Sequence, residues 1–229
     1  MYAREIEGRE LTFGVSGKLI LNAMVMYDRQ TDTLWSQFLG EAVEGPLAGT
    51  TLDFVASRLT RWSLWKEEHP DTLVLDTGTR AYDQYDSYYI SPSSGSLGES
   101  NLDDRLISKD LVVGLVGKDM QRAYAHKHLT KIRVLNDTFE DRDIVVTLDL
   151  NSGSTGVFHR DVDGRVLDFS QGPGPLDMTD TETGTVWDKL TGVAREGELK
   201  GARLTPWPYF NAFWFAWMDF YPNTELFEG

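Results

Sequence analysis

Met26-Tyr27-Asp28-Arg29-Gln30-Thr31-Asp32-Thr33-Leu34-Trp35 is answered, 152 residues later, by Met178-Thr179-Asp180-Thr181-Glu182-Thr183-Gly184-Thr185-Val186-Trp187. The match continues outward at constant offset. Gly40, Gly45, Leu47, Gly49 and Leu52 meet Gly192, Gly197, Leu199, Gly201 and Leu204, while Trp62, Trp65, Pro70 and Thr72 meet Trp214, Trp217, Pro222 and Thr224. Upstream, Glu7-Gly8-Arg9 with Leu11 and Phe13 reappears as Asp163-Gly164-Arg165 with Leu167 and Phe169. One length change, about four residues lost in the second copy between Phe169 and Asp180, brings the stretches into register, so the chain reads as a duplicated unit.

Each copy reads as strands closed by a short helix. Gly8 and Asp163-Gly164 sit between short strand-like runs, and Asp-Gly favours the positive-φ turn that hairpins need. A second hairpin turns at residues 28–32, between strands at 23–27 and 33–38, and its copy turns at residues 180–184 into a strand at 185–190. Glycines then punctuate short strands near residues 41–43 and 51–55. Each copy ends on tryptophans spaced i, i+3, Trp62 with Trp65 and Trp214 with Trp217, which predicts a helix of about two to three turns with the paired indoles buried. Pro70 and Pro222 stop it.

Between the copies, residues 77–100 are rich in Tyr, Asp, Ser and Gly, including Tyr82, Tyr85, Tyr88 and Tyr89, and read as an ordered but irregular connector. Strands are expected at residues 110–116, 122–125, 131–135 and 143–150. Nothing corresponding to them precedes the first copy, which therefore reads as starting partway through a longer unit. The fold expected is mainly β, a β-rich α+β arrangement. It divides into a first repeat at residues 1–76, a connector at 77–109 and a second repeat with additional strands at 110–229, packed as one globular unit.

The composition narrows the function classes. A chain of 229 residues, 41% hydrophobic and 12% aromatic, is long enough to bury a core without disulfide or metal staples. A formal charge of −14 argues against wrapping nucleic acid, whose phosphates draw on clustered Lys and Arg. There is no Cys, which removes disulfides, thiolate metal sites and cysteine nucleophiles. No basic start followed by an apolar run marks a signal peptide, and the aromatic stretch at residues 210–218 is far short of the roughly 20 residues that span a bilayer. Compartment is left open.

Several separate motifs in order, Leu11-Thr-Phe-Gly-Val-Ser-Gly17, Val25-Met-Tyr-Asp-Arg-Gln-Thr31, Leu34-Trp-Ser-Gln37, Gly45-Pro-Leu-Ala-Gly49 and His69-Pro-Asp-Thr72, closely resemble the bacterial and archaeal domain-of-unknown-function family 3179. Arg122-Ala-Tyr124, Val134-Leu-Asn-Asp137 and Phe213-Trp-Phe-Ala-Trp217 extend the resemblance over nearly the whole chain. The resemblance implies no established activity. It does imply a further N-terminal portion ending in a Cys-Pro-Leu-Cys-Gly-like segment, which is not found here, so the chain is expected to be a fragment or a member of a shorter branch.

Features shared by both copies belong most economically to the scaffold, and those in one copy are freer to serve a site. Asp28 and Asp180 are shared. Each opens a turn with Thr three and five residues later, the pattern of an Asx-turn, and the competing reading is an acid/base pair converging across the repeat junction. Ser16, Tyr27, Arg29 and Gln37 are polar in the first copy only and form a candidate ligand site with Tyr85 of the connector, Arg29 supplying a fork of donors to an anionic or polar ligand. His126 and His128, two apart, would share a strand face and are weak metal candidates, without neighbours to complete a ligand set. The expected function is a non-catalytic module binding a small polar ligand or a protein partner, with no cofactor. An enzyme using Asp28 or Asp180 at the repeat junction is the alternative.

Overall fold

The computed structural model describes residues 1–76, 86–91 and 94–228. In chain order it forms β1 (Glu5–Ile6), β2 (Arg9–Glu10), β3 (Phe13–Ile20), β4 (Ala23–Asp28), β5 (Leu34–Ser36), β6 (Ala42–Glu44), α1 (Trp62–Glu68) and α2 (Asp86–Ile90). These are followed by β7 (Leu111–Val116), β8 (Gln121–Ala125), α3 (His126–Ile132), β9 (Val134–Phe139), β10 (Arg142–Leu148) and β11 (Thr155–His159). The last third holds β12 (Asp161–Val162), β13 (Arg165–Val166), β14 (Phe169–Gln171), β15 (Asp177–Asp180), β16 (Val186–Asp188), β17 (Ala194–Glu196), β18 (Phe210–Phe213), α4 (Trp214–Phe220) and β19 (Glu225–Phe227). The fold is mainly β, with short helices.

Residues matched in sequence adopt matched geometry. β1 and β2 form a hairpin through Glu7-Gly8, both at positive φ, and β12 and β13 do the same through Asp163-Gly164. Two successive positive-φ residues give the turn whose twist suits paired strands. The four-stranded antiparallel sheet β3-β4-β5-β6 is repeated as β14-β15-β16-β17.

At the turn of each sheet a buried Asp organises the backbone. Asp28 Oδ1 accepts the amides of Gln30 at 3.1 Å and Thr31 at 2.6 Å, and Oδ2 accepts the Trp35 indole N–H at 3.0 Å. Asp180 accepts the Thr183 amide at 2.6 Å and the Trp187 indole at 2.8 Å. Thr33 and Thr185 then accept the amides of Leu47 and Leu199 on the following loop. Both indoles are fully buried, and each meets a phenylalanine edge-on, Trp35 with Phe13 and Trp187 with Phe169, at 5.8 Å.

The remaining strands form two layers. β7 and β8 are a hairpin between β18 and β19 in the order β18-β7-β8-β19, and β9, β10 and β11 form the neighbouring sheet. Alternation along β7 divides its side chains between two cores, as a strand buried on both faces requires. Val113 and Leu115 join Tyr124, Leu129, Phe139, Ile144 and Val146, while Val112 joins Ala123, Ala125, Trp214 and Trp217. Gly114 lies under Trp217, where a Cβ would stand 2.2 Å from the indole.

The first sheet joins this body through Phe38, buried and stacked on Phe220 at 4.3 Å and Phe210 at 5.0 Å. Asn22 adds hydrogen bonds to the Leu97 amide and the Gly98 carbonyl.

The structure departs from the sequence reading in three places. Residues 51–55 make only isolated bridges, Glu41 to Thr51 and Tyr2 to Phe54. The strand expected at residues 131–135 is replaced by the end of α3, and β9 starts at Val134 after Arg133 at positive φ. The helix brings His126 to Asn211 and Leu129 into the core, so tertiary packing overrides the local reading. Finally, paired indoles are buried only in α4, where Trp214 and Trp217 are 1% and 0% exposed, against 53% and 37% for Trp62 and Trp65 in α1.

The buried carboxylates define a stability test. Asp28→Asn and Asp180→Asn each set an amide donor against the indole and turn N–H groups, and each is expected to cost about 2 kcal/mol. Urea unfolding followed by tryptophan fluorescence measures it.

Candidate functional site

A cavity of about 730 Å³ opens where the first sheet meets β7, β18 and α4. Asn22 and Met24 contribute from the β3–β4 turn and β4, Gln37 and Phe38 from the end of β5, and Tyr88 and Tyr89 from α2. Lys109 and Leu111 come from the start of β7, and Asn211, Phe213 and Phe215 from β18 and α4. The size lies in the range of small-molecule sites, and the lining is mostly apolar with a few polar groups, as such sites require.

Lys109 is the one charged side chain among these lining residues. Its Nζ lies 3.7 Å from the centre of the Tyr88 ring and donates to the Tyr88 carbonyl, to the Ser91 carbonyl at 2.8 Å and to the Ser91 hydroxyl at 3.3 Å. No carboxylate lies within ion-pair distance of it among the described residues. The half-buried ammonium is held by carbonyl and hydroxyl dipoles and by a π face. Phe213 forms the aromatic wall, 6.2 Å from Tyr89 and 6.0 Å from Phe215.

Behind the cavity runs a buried polar chain. His126 Nε2 pairs with Asn211 Oδ1 at 3.2 Å, Thr155 Oγ1 donates to the same oxygen at 3.2 Å, and Tyr209 donates its hydroxyl proton to the Thr155 carbonyl at 2.6 Å. Burial lowers the His126 pKa below its ordinary 6.5 against the opposing hydrogen bond from Asn211, so the ring is held neutral. This chain fixes the orientation of Asn211 in the cavity wall.

The residues singled out in sequence are dispersed. Gln37 reaches this cavity with an exposed side chain. Tyr27 and Arg29 sit together on β4 and just beyond it, the guanidinium 5.7 Å from the Tyr27 ring and bonded to the Phe13 carbonyl. Ser16 donates to the Val25 carbonyl at 2.6 Å. Neither Ser16, Tyr27 nor Arg29 lines the cavity. Tyr85 lies outside the described residues.

Asp28 and Asp180 are buried in their own hairpins, with their oxygens occupied by turn amides, Thr hydroxyls and indoles. Burial works against ionisation of Asp28, but the bonds from Trp35, Thr31 and Gln30 outweigh it and hold the carboxyl below the usual range. On α3, His126 and His128 point to different partners, Asn211 and the Phe227 carbonyl, because residues two apart on a helix do not share a face. No group of three or more His, Asp or Glu among the described residues is arranged to hold a metal.

Lys109, Asn211 and Phe38 carried no local signal in the sequence, because they converge from distant segments. The tyrosine-rich connector did, through Tyr88 and Tyr89. The later family signature is explained by a second cluster, in which Arg122 pairs with Asp137 at 3.0 Å and Glu225 at 2.8 Å, and the Tyr124 hydroxyl donates to Asp137 at 2.7 Å. The Glu225 bond ties β19 to β8, and the two bonds to Asp137 tie β8 to β9.

Fold and cavity together define a mainly β protein built of two alike sheets around a central layered body. Among the described residues no helix is long and apolar enough to cross a membrane. The chain belongs to the DUF3179 family of proteins of unknown function, whose model matches residues 1–224. No curated protein and no solved structure shows significant similarity to it.

The neutral state of His126 sets a pH dependence. An unfolded chain binds more protons than the folded one below about pH 6.5, so stability is present above that value and lost as pH falls through the folded pKa. His159, lowered by burial and then by Arg142 against Asp161, adds to the same trend. His126→Gln is expected to flatten the slope of unfolding free energy between pH 6.5 and 5 by up to about 1.4 kcal/mol per pH unit, measured by urea titration at each pH.

Proposed function

We propose that the protein is a non-catalytic binding module, built from a duplicated sheet unit, whose ligand is a small carboxylate with an aromatic or aliphatic body. The observation that carries this reading is Lys109, an ammonium without a carboxylate partner among the described residues, facing a cavity of ligand size walled by Phe38, Phe213, Phe215, Tyr88 and Tyr89. The acid group would take the ammonium as a charge-assisted donor in place of the Ser91 hydroxyl, which lies at 3.3 Å, the body would lie along the aromatic wall, and Gln37 at the mouth supplies an adaptable amide. The boundaries that fit this reading are a first repeat through residue 76, the connector, and a second repeat from residue 110. The acid/base alternative through Asp28 or Asp180 gains nothing from the geometry, since both carboxylates are consumed by their turns.

Thermal shift with 3-phenylpropionate and its neutral amide tests the reading. The carboxylate is expected to raise the melting temperature of the protein and the amide to raise it less. Lys109→Gln is expected to weaken the carboxylate about 10- to 100-fold, the worth of one hydrogen bond to a charged group, while Lys109→Arg retains most of it. Equal stabilisation by acid and amide, or an undiminished response in Lys109→Gln, overturns the assignment.

A further inference from the structure

Phe38 and Leu190 hold the same place in the two matched sheets. The amides just before them, of Gln37 and Lys189, donate to the carbonyls of Met24 and Leu176. Two residues after them, Gly40 and Gly192 donate to Ser36 and Asp188 and accept from Leu52 and Leu204. Phe210 and Arg58 each stand four residues before the start of a Trp-bearing helix, and Phe220 and Glu68 end those helices, α4 and α1. These matched positions carry opposite chemistry. Phe38 stacks on both Phe210 and Phe220, and Phe210 stacks on Phe54, so rings fill the space. At the matched place the ring pair is replaced by an ion pair, Arg58 Nη2 to Glu68 Oε2, and Phe38 by the shorter Leu190. Pro206 stands where Phe54 does, since Phe158 bridges to Pro206 as Tyr2 bridges to Phe54.

The smaller side chains leave a cavity of about 180 Å³, bounded by Arg58, Phe158, Leu190, Pro206, Trp207 and Tyr209. It shares no lining residue with the cavity at Lys109. One wall is a cation with a donor left over: the Arg58 side chain is 16% exposed, and its Nη1 is buried without a hydrogen-bond partner among the described residues. Such a donor has given up water and gained nothing in return, so an acceptor brought to it recovers the cost. The other walls are apolar or already engaged. The Tyr209 hydroxyl donates to the Thr155 carbonyl, and the Trp207 ring lies against Phe139 and His159 at 5.6 and 4.8 Å. Glu68 balances the guanidinium, so an anion in this cavity would meet a carboxylate as well as a cation.

We propose that this cavity is a second binding site, for a small neutral molecule with one flat apolar ring and one carbonyl oxygen. The ring takes the room that the Phe38 side chain fills at the matched place, among Leu190, Phe158 and Pro206, and the oxygen accepts from Arg58 Nη1. The space is smaller than a drug-sized ligand needs, which limits the occupant to about one ring. Charge separates the two sites: the Lys109 cavity offers an ammonium without a carboxylate partner among the described residues, and this one offers a single donor from a neutralised pair.

Calorimetric titration with benzamide and benzoate tests the proposal. Both titrations use the full chain carrying Lys109→Gln, so that the outcome does not depend on the reading of the other cavity. Benzamide is expected to bind, and benzoate at least about tenfold more weakly because of Glu68. Leu190→Phe restores the ring of the matched position and is expected to abolish benzamide binding without lowering the melting temperature. Arg58→Lys keeps a cation for Glu68 but gives up the second arm of the fork, and is expected to weaken benzamide about tenfold; it carries the test if the larger ring at position 190 disturbs folding. Absence of benzamide binding overturns the proposal, as does binding that Arg58→Lys and a folded Leu190→Phe leave undiminished, or benzoate bound as tightly as benzamide. A crystal grown with benzamide in which the cavity holds ordered water only overturns it too.

Discussion

A buried carboxylate receiving an indole N–H anchors each of the two matched four-stranded sheets of this protein. Asp28 and Asp180 stand at the second turn of their four-stranded sheets, between β4 and β5 and between β15 and β16, and neither would tolerate burial without donors to spare. The donors come from two directions. Local ones, the turn amides and Thr hydroxyls, close the loop, and the distant one, the indole of Trp35 or Trp187, ties the loop to the sheet core. Because the indole is fixed, its ring can be packed edge-on by Phe13 or Phe169, and the following threonine can hold the next loop. The sheet is built outward from that bond.

Once both sheets exist, their placement is governed by aromatic stacking. Phe38 emerges just after β5 and inserts among Phe210, Phe220 and Trp217, so the first sheet is docked on the body that carries the second. The cavity is a consequence of this geometry. It lies beside Phe38, between the first sheet and β18 with α4, and the connector places Lys109 and the α2 tyrosines in its wall.

The two Trp-bearing helices also show what burial contributes. α1 and α4 share backbone, caps and indole–threonine bonds, yet among the described residues a hairpin, β7–β8, lies beneath α4 and none beneath α1. Helix formation here is decided by local geometry, and the apolar face is indifferent to whether it is covered. Coverage depends on strands that arrive from elsewhere in the chain.

The turn chemistry of Asp28 and Asp180, the Gly8 and Gly164 hairpins and the short proline-stopped helices were all legible in the amino-acid order, because each rests on contacts within about ten residues. The mainly β class followed from them. The burial of Trp62 and Trp65, the strand at residues 131–135 and the shared face of His126 and His128 were misread, since each depends on which distant segment packs alongside. Gln37 was legible as copy-specific but not as a cavity residue, and Lys109 was not legible at all. A lone lysine acquires meaning only when Tyr88, Ser91 and Phe213 surround it without a carboxylate among them. Sequence alone determined the units and their turns, because hydrogen bonds between near neighbours are written in residue order. Tertiary structure alone decided the cavity, because it is made by side chains whose neighbours are chosen by packing.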